Sequence, residues 1–301
     1  MATQERDNSA SGGLKRVIVN ADDFGFSPGV TEGILQGHRA GIITSTTVMA
    51  NMPGAAEAIG RLSEVPNLGV GVHLNATQGR PLSQEGQALA QDDGVMRHSA
   101  VGIISACCRR PKLIRAVVAE FDAQIRWVLD HGIKPTHLDS HRHTHVFTPI
   151  FARVLELAKQ YNVPFVRRAG EKLIGPGWPR SNPRERWTSR VLTMFGVANQ
   201  YVGNRSLSGR RASQCCPTIG TWGVAHTGII DAAWLIRAAQ SVSIGATEIM
   251  THPGLPEAPD PTRPPSRLAQ TRPLELDALC DPAVREAFER NNVRFVHYEQ
   301  L

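Results

Sequence analysis

The sequence predicts one α/β domain on a parallel sheet, and a distorted (β/α) barrel fits it better than a doubly wound sheet. Three observations carry that expectation. Short apolar runs alternate with segments of helical spacing along most of the chain, the pattern of strand–helix units around a parallel sheet. No Gly-x-Gly-x-x-Gly follows the first run, which removes the main support for a dinucleotide-binding open sheet. Polar residues gather where several predicted strands end, and barrels carry their sites at that face.

The first strand is Arg16 to Asp23, an apolar run that ends in two carboxylates. Ser27-Pro28 supplies an N-cap and a proline at the first helical position, so a helix runs to about Ala40 and Gly41 ends it. Ile42 to Ala50 is β-branched enough for a second strand, Pro53 to Leu62 reads as a helix, and Leu68 to Leu74 as a third strand. After a loop, Leu113, Val117, Phe121, Ile125 and Val128 mark a helix from Lys112 to Leu129. Pro135 to Asp139 is a strand, Pro149 to Gln160 a helix and Val163 to Val166 a strand. Residues 169–217, rich in Gly, Pro, Trp and Arg, break the rhythm and read as an inserted loop region or flap. Regularity returns at Thr218 to Val224, Ala232 to Gln240, Thr247 to Thr251 and a last helix–strand pair, Pro282 to Val296. Between them, Pro253 to Pro273 holds seven prolines and reads as an ordered surface loop. The sum is a TIM-like barrel in a single domain.

Composition narrows the function classes. At 301 residues, 41% hydrophobic and 20% charged, the chain is long enough for one sizeable core. With 27 Gly and 20 Pro it is neither collagen-like nor low-complexity. No apolar run approaches the ~18 residues of a membrane span. Met1 to Lys15 is polar, so residues 1–15 are expected as a disordered leader rather than a signal peptide, ahead of a domain at 16–301. Five cysteines without a Cys-x-x-Cys suit free thiols in a reducing cytoplasm.

The net charge of +6 is concentrated, because seven arginines fall between Arg180 and Arg211 while the remainder is near neutral. That argues against a general nucleic-acid surface. It leaves a solvated basic insertion or a groove for a phosphorylated or lipid-linked substrate. Trp178, Trp187 and Tyr201 stand among these arginines; they either pack against the barrel or offer aromatic faces to sugar rings.

Four strand ends carry groups able to do chemistry. Asp22 and Asp23 close the first strand. Adjacent carboxylates repel and need a cation or a shared proton, and the turn out of the strand can aim both at one site. Asp23-Phe24-Gly25 also occurs as a kinase metal-binding triplet, but no glycine-rich loop or catalytic-loop motif accompanies it. His73 closes the third strand and His252 follows the one at Thr247 to Thr251. The segment His137 to His145 places His137, Asp139, His141, His143 and His145 at period two, which in an extended chain lines one face. Imidazole and carboxylate together suit zinc and accept other divalent ions.

These residues resemble a known family. Val19-Asn-Ala-Asp-Asp-Phe-Gly25, Thr44-Ser-Thr-Thr47, Gly71-Val-His-Leu74, Pro135-Thr-His-Leu-Asp-Ser-His141, Thr251-His-Pro253 and Arg272-Pro-Leu-Glu-Leu276 occur in order. The pattern is similar to the YdjC-like carbohydrate deacetylases, such as chito-oligosaccharide deacetylases, over about Val17 to Val296. The resemblance implies a distorted barrel and one divalent ion, Mg²⁺ or Zn²⁺, on Asp23, His73 and His141, with Asp22 as base. It implies an acetylated amino sugar as substrate. No nucleic acid or membrane span is expected, and a homodimer is admitted.

The chemistry agrees. Amide hydrolysis needs hydroxide near neutral pH and a stabilised oxyanion, which a cation with an open position supplies. Asp22 would take the water's proton, His252 would protonate the departing amine, and Asp139 would orient a ligand imidazole. Arg272 is placed near the site or substrate, and His143 or His145 could replace His141. A metal-dependent phosphoesterase and a non-catalytic sugar- or metal-binding protein are the competing classes.

Overall fold

The computed structural model describes residues 13–168, 170–171, 183–206, 215–258 and 266–301. Strand β1 (Lys15–Phe24) is buried from Val17 onward. Residues 1–12 of the expected leader lie outside the described residues, and Lys15 is already paired with Gly245 and Val293. Helix α1 (Pro28–Arg39) starts as the sequence predicts, with the Ser27 side chain accepting from the Val30 N–H. Then follow β2 (Ser45–Val48), α2 (Ala55–Gly60), β3 (Gly69–Leu74), a small antiparallel pair β4 (Gln78–Gly79) and β5 (Met96–Arg97), α3 (Ala100–Arg109) and α4 (Leu113–Asp130). Next come β6 (His137–Ser140), α5 (Thr148–Gln160), β7 (Phe165–Val166), α6 (Pro183–Ser206) and β8 (Thr218–Trp222). The chain finishes with α7 (Ala232–Ser241), β9 (Gly245–Thr251), α8 (Arg272–Cys280), α9 (Pro282–Arg290) and β10 (Val293–Phe295).

The main sheet has eight strands in the order β7-β6-β3-β2-β1-β9-β8, with β10 beside the first residues of β1. All its ladders are parallel, so it curls into a half-barrel with helices around it and every C-terminal strand end on one face. Its outer strands share no ladder among the described residues. They are tied instead by Thr221, whose N–H donates to the Gly170 carbonyl at 2.9 Å and whose hydroxyl oxygen lies 2.9 Å from that of Arg168. Register does part of the site's work: His73 stands beside Asp139, and Ala21 beside Thr251.

Three helices differ from the expectation. Helix α3 occupies a stretch that reads as loop, capped by Ser99 on the Gly102 N–H. The main described element of the Arg/Trp-rich insertion is the 24-residue helix α6; Arg, Leu, Met and Ala are good helix formers, and the scattered Gly and Trp hid that. Helix α8 begins inside the proline-rich stretch, because Pro273 near a helix start is tolerated rather than disruptive. Trp178, Arg180, Arg210 and Arg211 lie outside the described residues, as do 259–265 of the proline-rich loop.

One apolar cluster joins β1 to the surrounding helices through Phe24, Ile34, Phe121, Ile150, Leu235 and Phe288. A second, smaller one closes the opposite end of the barrel with Ile18, Val296 and Tyr298, against which Phe165 and Leu301 pack.

Candidate metal and catalytic site

The adjacent carboxylates reach one site through a backbone irregularity. The β1–β2 register shifts between Ala21 and Phe24, and Asp23 has φ 73°, with Gly25 following at φ 85°. A bulge with a left-handed residue re-aims side chains that would otherwise point to opposite faces. A Cβ on Gly25 would lie 2.9 Å from the Ala55 Cα, so the bend requires glycine there.

Asp23 divides its two oxygens. Oδ2 meets Arg272 at 2.5 Å, while Oδ1 faces His141 Nδ1 at 3.0 Å and His73 Nε2 at 3.4 Å. The other nitrogen of each ring is engaged: His73 Nδ1 lies 2.7 Å from Asp139 Oδ1, and His141 Nε2 3.1 Å from the Gln78 side-chain oxygen. Both partners accept, so they can hold each ring's proton on that nitrogen and free the one facing Asp23 for a cation. Asp23, His73 and His141 thus offer three ligand atoms within 4.8 Å of one another. An O,N,N set with oriented imidazoles suits a divalent ion. Two buried groups on the same pocket, His252 Nδ1 and the Nε and Nη1 of Arg272, have no hydrogen-bond partner among the described residues.

Beneath this cluster lies a residue that the sequence reading missed. Arg167, just past β7 and 1% exposed, donates to Asp22 twice, at 2.8 and 2.6 Å. It also reaches Asp139 Oδ2 at 2.8 Å and Glu248 Oε1 at 2.8–2.9 Å. One guanidinium therefore serves three buried carboxylates. The Arg167-Arg168 pair after Val163–Val166 carries no periodicity or spacing signal, so only tertiary structure could find the role of Arg167.

The electrostatics follow from that packing. Burial works against ionisation of Asp22 and Asp23. Arg167 holds Asp22 well below the usual carboxylate range nonetheless, and His141 with Arg272 does the same for Asp23. Burial depresses His73, but Asp139 and Asp22 outweigh it and lift the ring to about 9. Positive charge is favoured at this point, by proton or by cation. Burial lowers His252 to about 4 against the pull of Asp23 and Asp22, so it is neutral at pH 7.

The period-two reading of His137 to His145 does not hold along its length. Strand β6 stops at Ser140, and Arg142 and His143 take left-handed φ of 56° and 55° in a 3-10 turn. His137 points into the barrel and stacks on Tyr298 at 3.9 Å. His145 is turned away, bonded to Ser140 Oγ at 2.5 Å and to the Arg167 carbonyl. His143 lines the pocket wall but is outside the ligand cluster. The structure therefore brings together Asp22, Asp23, His73, Asp139, His141, His252 and Arg272 and leaves His143 and His145 aside.

The pocket above the cluster has a volume of about 620 Å³, and Val101, Arg142, Thr188, Ile229 and Arg267 form its outer rim. A neighbouring cavity of about 810 Å³ shares Gln78, Ser99 and Arg142 with it; Met52, Leu82, Met96 and Trp127 supply its apolar wall and Arg80 and Arg97 its basic edge.

Fold and site together define an α/β half-barrel protein with an interior Asp/His cluster able to hold a divalent cation. The chain belongs to the YdjC-like protein family, which matches residues 16–290. The carbohydrate deacetylase of Brevibacillus brevis is 31% identical over 288 residues, 95% of this chain and 99% of that one. That of Clostridium beijerinckii is 29% identical over 289 residues, 95% and 100%. A crystal structure from Enterococcus faecalis, named provisionally for cellobiose-phosphate cleavage, has the same fold, with a TM-score of 0.70 at 24% identity over 95% of this chain and 98% of that one.

Proposed function

We propose that this chain is a metal-dependent hydrolase that removes the N-acetyl group from an acetylated amino sugar. The observation that carries the reading is the meeting of Asp23, His73 and His141 within 4.8 Å beside an Asp22 clamped by Arg167. The carbohydrate deacetylase relatives supply the substrate class.

Asp23 Oδ1, His73 Nε2 and His141 Nδ1 would hold the ion, Mg²⁺ or Zn²⁺. When bound, it acidifies water and polarises the amide carbonyl. Asp22, ionised and next to the ligands without being needed as one, takes the proton of the attacking water. The Arg167 clamp makes it a weak base, which suffices for water already acidified. Asp139 fixes the His73 tautomer, and Arg272 reserves Oδ2 of Asp23 so that Oδ1 stays on the ligand side. His252, neutral at rest, would take up the proton that Asp22 receives from the water and pass it to the leaving nitrogen, so that one proton moves from water to amine.

Two features favour a lipid-linked or phosphorylated acetyl sugar as the particular substrate. Exposed Val101 and Ile229 stand at the pocket rim, and the side cavity pairs an apolar wall with Arg80, Arg97 and Arg142 and has no Asp or Glu in its lining. A two-ion phosphoesterase fits less well. The second candidate group, Asp22, His73 and Asp139, is already occupied by the Arg167 guanidinium, which excludes a cation by repulsion.

Among the described residues no helix is long and apolar enough to cross a membrane; a cytoplasmic setting belongs to the proposal. Acetate release from free, phosphorylated and lipid-linked N-acetyl sugars, with protein loaded with Zn²⁺ or Mg²⁺ and with chelated protein, tests it. Turnover that is abolished by chelation and restored by the ion supports the reading; phosphate release without acetate overturns it.

A further inference from the structure

The barrel interior below Arg167 is polar, and the deacetylase mechanism does not use it. Glu248, on β9 and fully buried, receives Arg167 on Oε1. Its Oε2 accepts two hydroxyls, Thr221 Oγ1 at 2.8 Å and Tyr298 OH at 2.8 Å. Tyr298 comes from the other end of the barrel. The segment after β10 crosses beneath the strands, tied by the Val296 N–H to the Val17 carbonyl and by the Thr44 hydroxyl to the Val296 carbonyl. From there the Tyr298 ring rises into the interior, fully buried, stacked on His137 at 3.9 Å and tilted against Phe165. Gly71 makes room for that stack, since a Cβ there would lie 2.5 Å from the His137 ring.

A tyrosine needed only to fill the end of a barrel does not require its hydroxyl. Here the hydroxyl is spent on a carboxylate already held by a guanidinium, in a place where an unmet polar group is costly. Burial and the neighbouring Glu248 push the phenol well above its ordinary value, so it stays a donor. The guanidinium uses Nε, Nη1 and Nη2 on Glu248, Asp22 and Asp139, and its plane is set by all three at once. A shift of Glu248 rotates the fork that positions Asp22.

We infer that Tyr298 is a positioning residue for the hydrolytic centre, acting through Glu248 and Arg167 to fix the Asp22 carboxylate. The inference rests on the proposed deacetylase reading. It places a determinant of turnover at the end of the barrel away from substrate, on a residue that touches neither substrate nor ion.

The test is Tyr298→Phe in the metal-loaded full chain, which keeps the ring and its stacking and removes one hydrogen bond. We expect kcat to fall about 5–20-fold, less than the ~10²-fold that an ångström of misplacement costs. KM and metal stoichiometry should be unchanged, and the melting temperature should fall only by the small amount that one lost buried hydrogen bond costs. A cycle with Glu248→Gln separates positioning from packing, because the double variant should be no slower than Glu248→Gln alone if the hydroxyl acts through that carboxylate. Phe165→Leu, which loosens the same apolar cluster without touching the hydrogen bonds, should lower the melting temperature and spare kcat. Full kcat in Tyr298→Phe, or multiplicative losses in the cycle, would overturn the inference. An unaltered protein that releases no acetate would instead overturn the deacetylase reading, so the two failures are distinguishable.

Discussion

The two walls of the pocket are built on different terms. On the barrel side, Asp22, Asp23, His73, Asp139 and Arg167 are at most 1% exposed, and each bonds to another member of the group. On the rim, Val101 is 73% and Ile229 59% exposed, and Arg142 is held by a backbone carbonyl of His98 and the Gln78 side chain rather than by a carboxylate. Charges of the first kind sit in a low dielectric and depend on one another, so removing one strands the rest. Those of the second kind are solvated and replaceable. On the proposed reading, chemistry belongs to the strand ends and substrate choice to the rim.

Arg167→Ala should strike hardest. It leaves Asp22, Asp139 and Glu248 without their shared cation, and breaking a buried pair costs about 3–5 kcal/mol. Denaturant unfolding should show that loss together with lost activity; a stable, active variant would mean that the carboxylates share protons instead. Asp22→Asn keeps shape and removes basicity, so it should retain metal and lose about 10²–10⁴-fold in kcat. Metal lost in proportion to activity would make Asp22 a ligand. His141→Ala should keep the fold, since that ring is at the pocket surface, and weaken metal binding by more than the ~10–100-fold typical of losing an outer partner. Unchanged stoichiometry by elemental analysis would return His143 to consideration.

The same contrast explains what could be read in the sequence. Asp22, Asp23, His73 and His252 were legible because a short apolar run ending in a polar residue is a local pattern, and the barrel repeats it. Asp139 and His141 were legible by type and not by geometry, because nothing local announces the left-handed turn at Arg142 and His143 that ends the alternation. Arg167, Glu248 and Tyr298 meet from positions far apart in the chain, and each alone looks like an ordinary strand or terminal residue. Helix α8 was hidden by Pro273, read as a loop marker where it marks a helix start. In the insertion, composition obscured the helical propensity of α6.

At the rim, effects should be smaller and depend on substrate. Arg267 lines the pocket with no hydrogen bond or ion pair among the described residues. Exposed charge pairs contribute roughly 1 kcal/mol or less, so Arg267→Ala should raise KM for a phosphorylated acetyl sugar by up to about fivefold and leave a neutral one unchanged. Equal effects on both would remove charge recognition from this edge of the pocket.

Trp187 gives the finest test. It is 64% exposed on α6, so packing against the barrel is not its role, while its neighbour Thr188 lines the pocket. An aromatic face beside a sugar site contributes by stacking, at about 0.5–1.5 kcal/mol. Trp187→Ala should therefore raise KM about 2–10-fold for substrates long enough to leave the pocket, with monosaccharide kinetics, metal content and melting temperature unchanged. The helix carries none of the proposed ligands, so the intrinsic chemistry has no reason to respond. If KM moves equally for a monosaccharide, the ring contacts the acetylated sugar itself and part of the rim belongs with the chemical wall. If KM moves for neither, α6 is a solvated flank and the choice of substrate falls to Arg142, Arg267 and the side cavity.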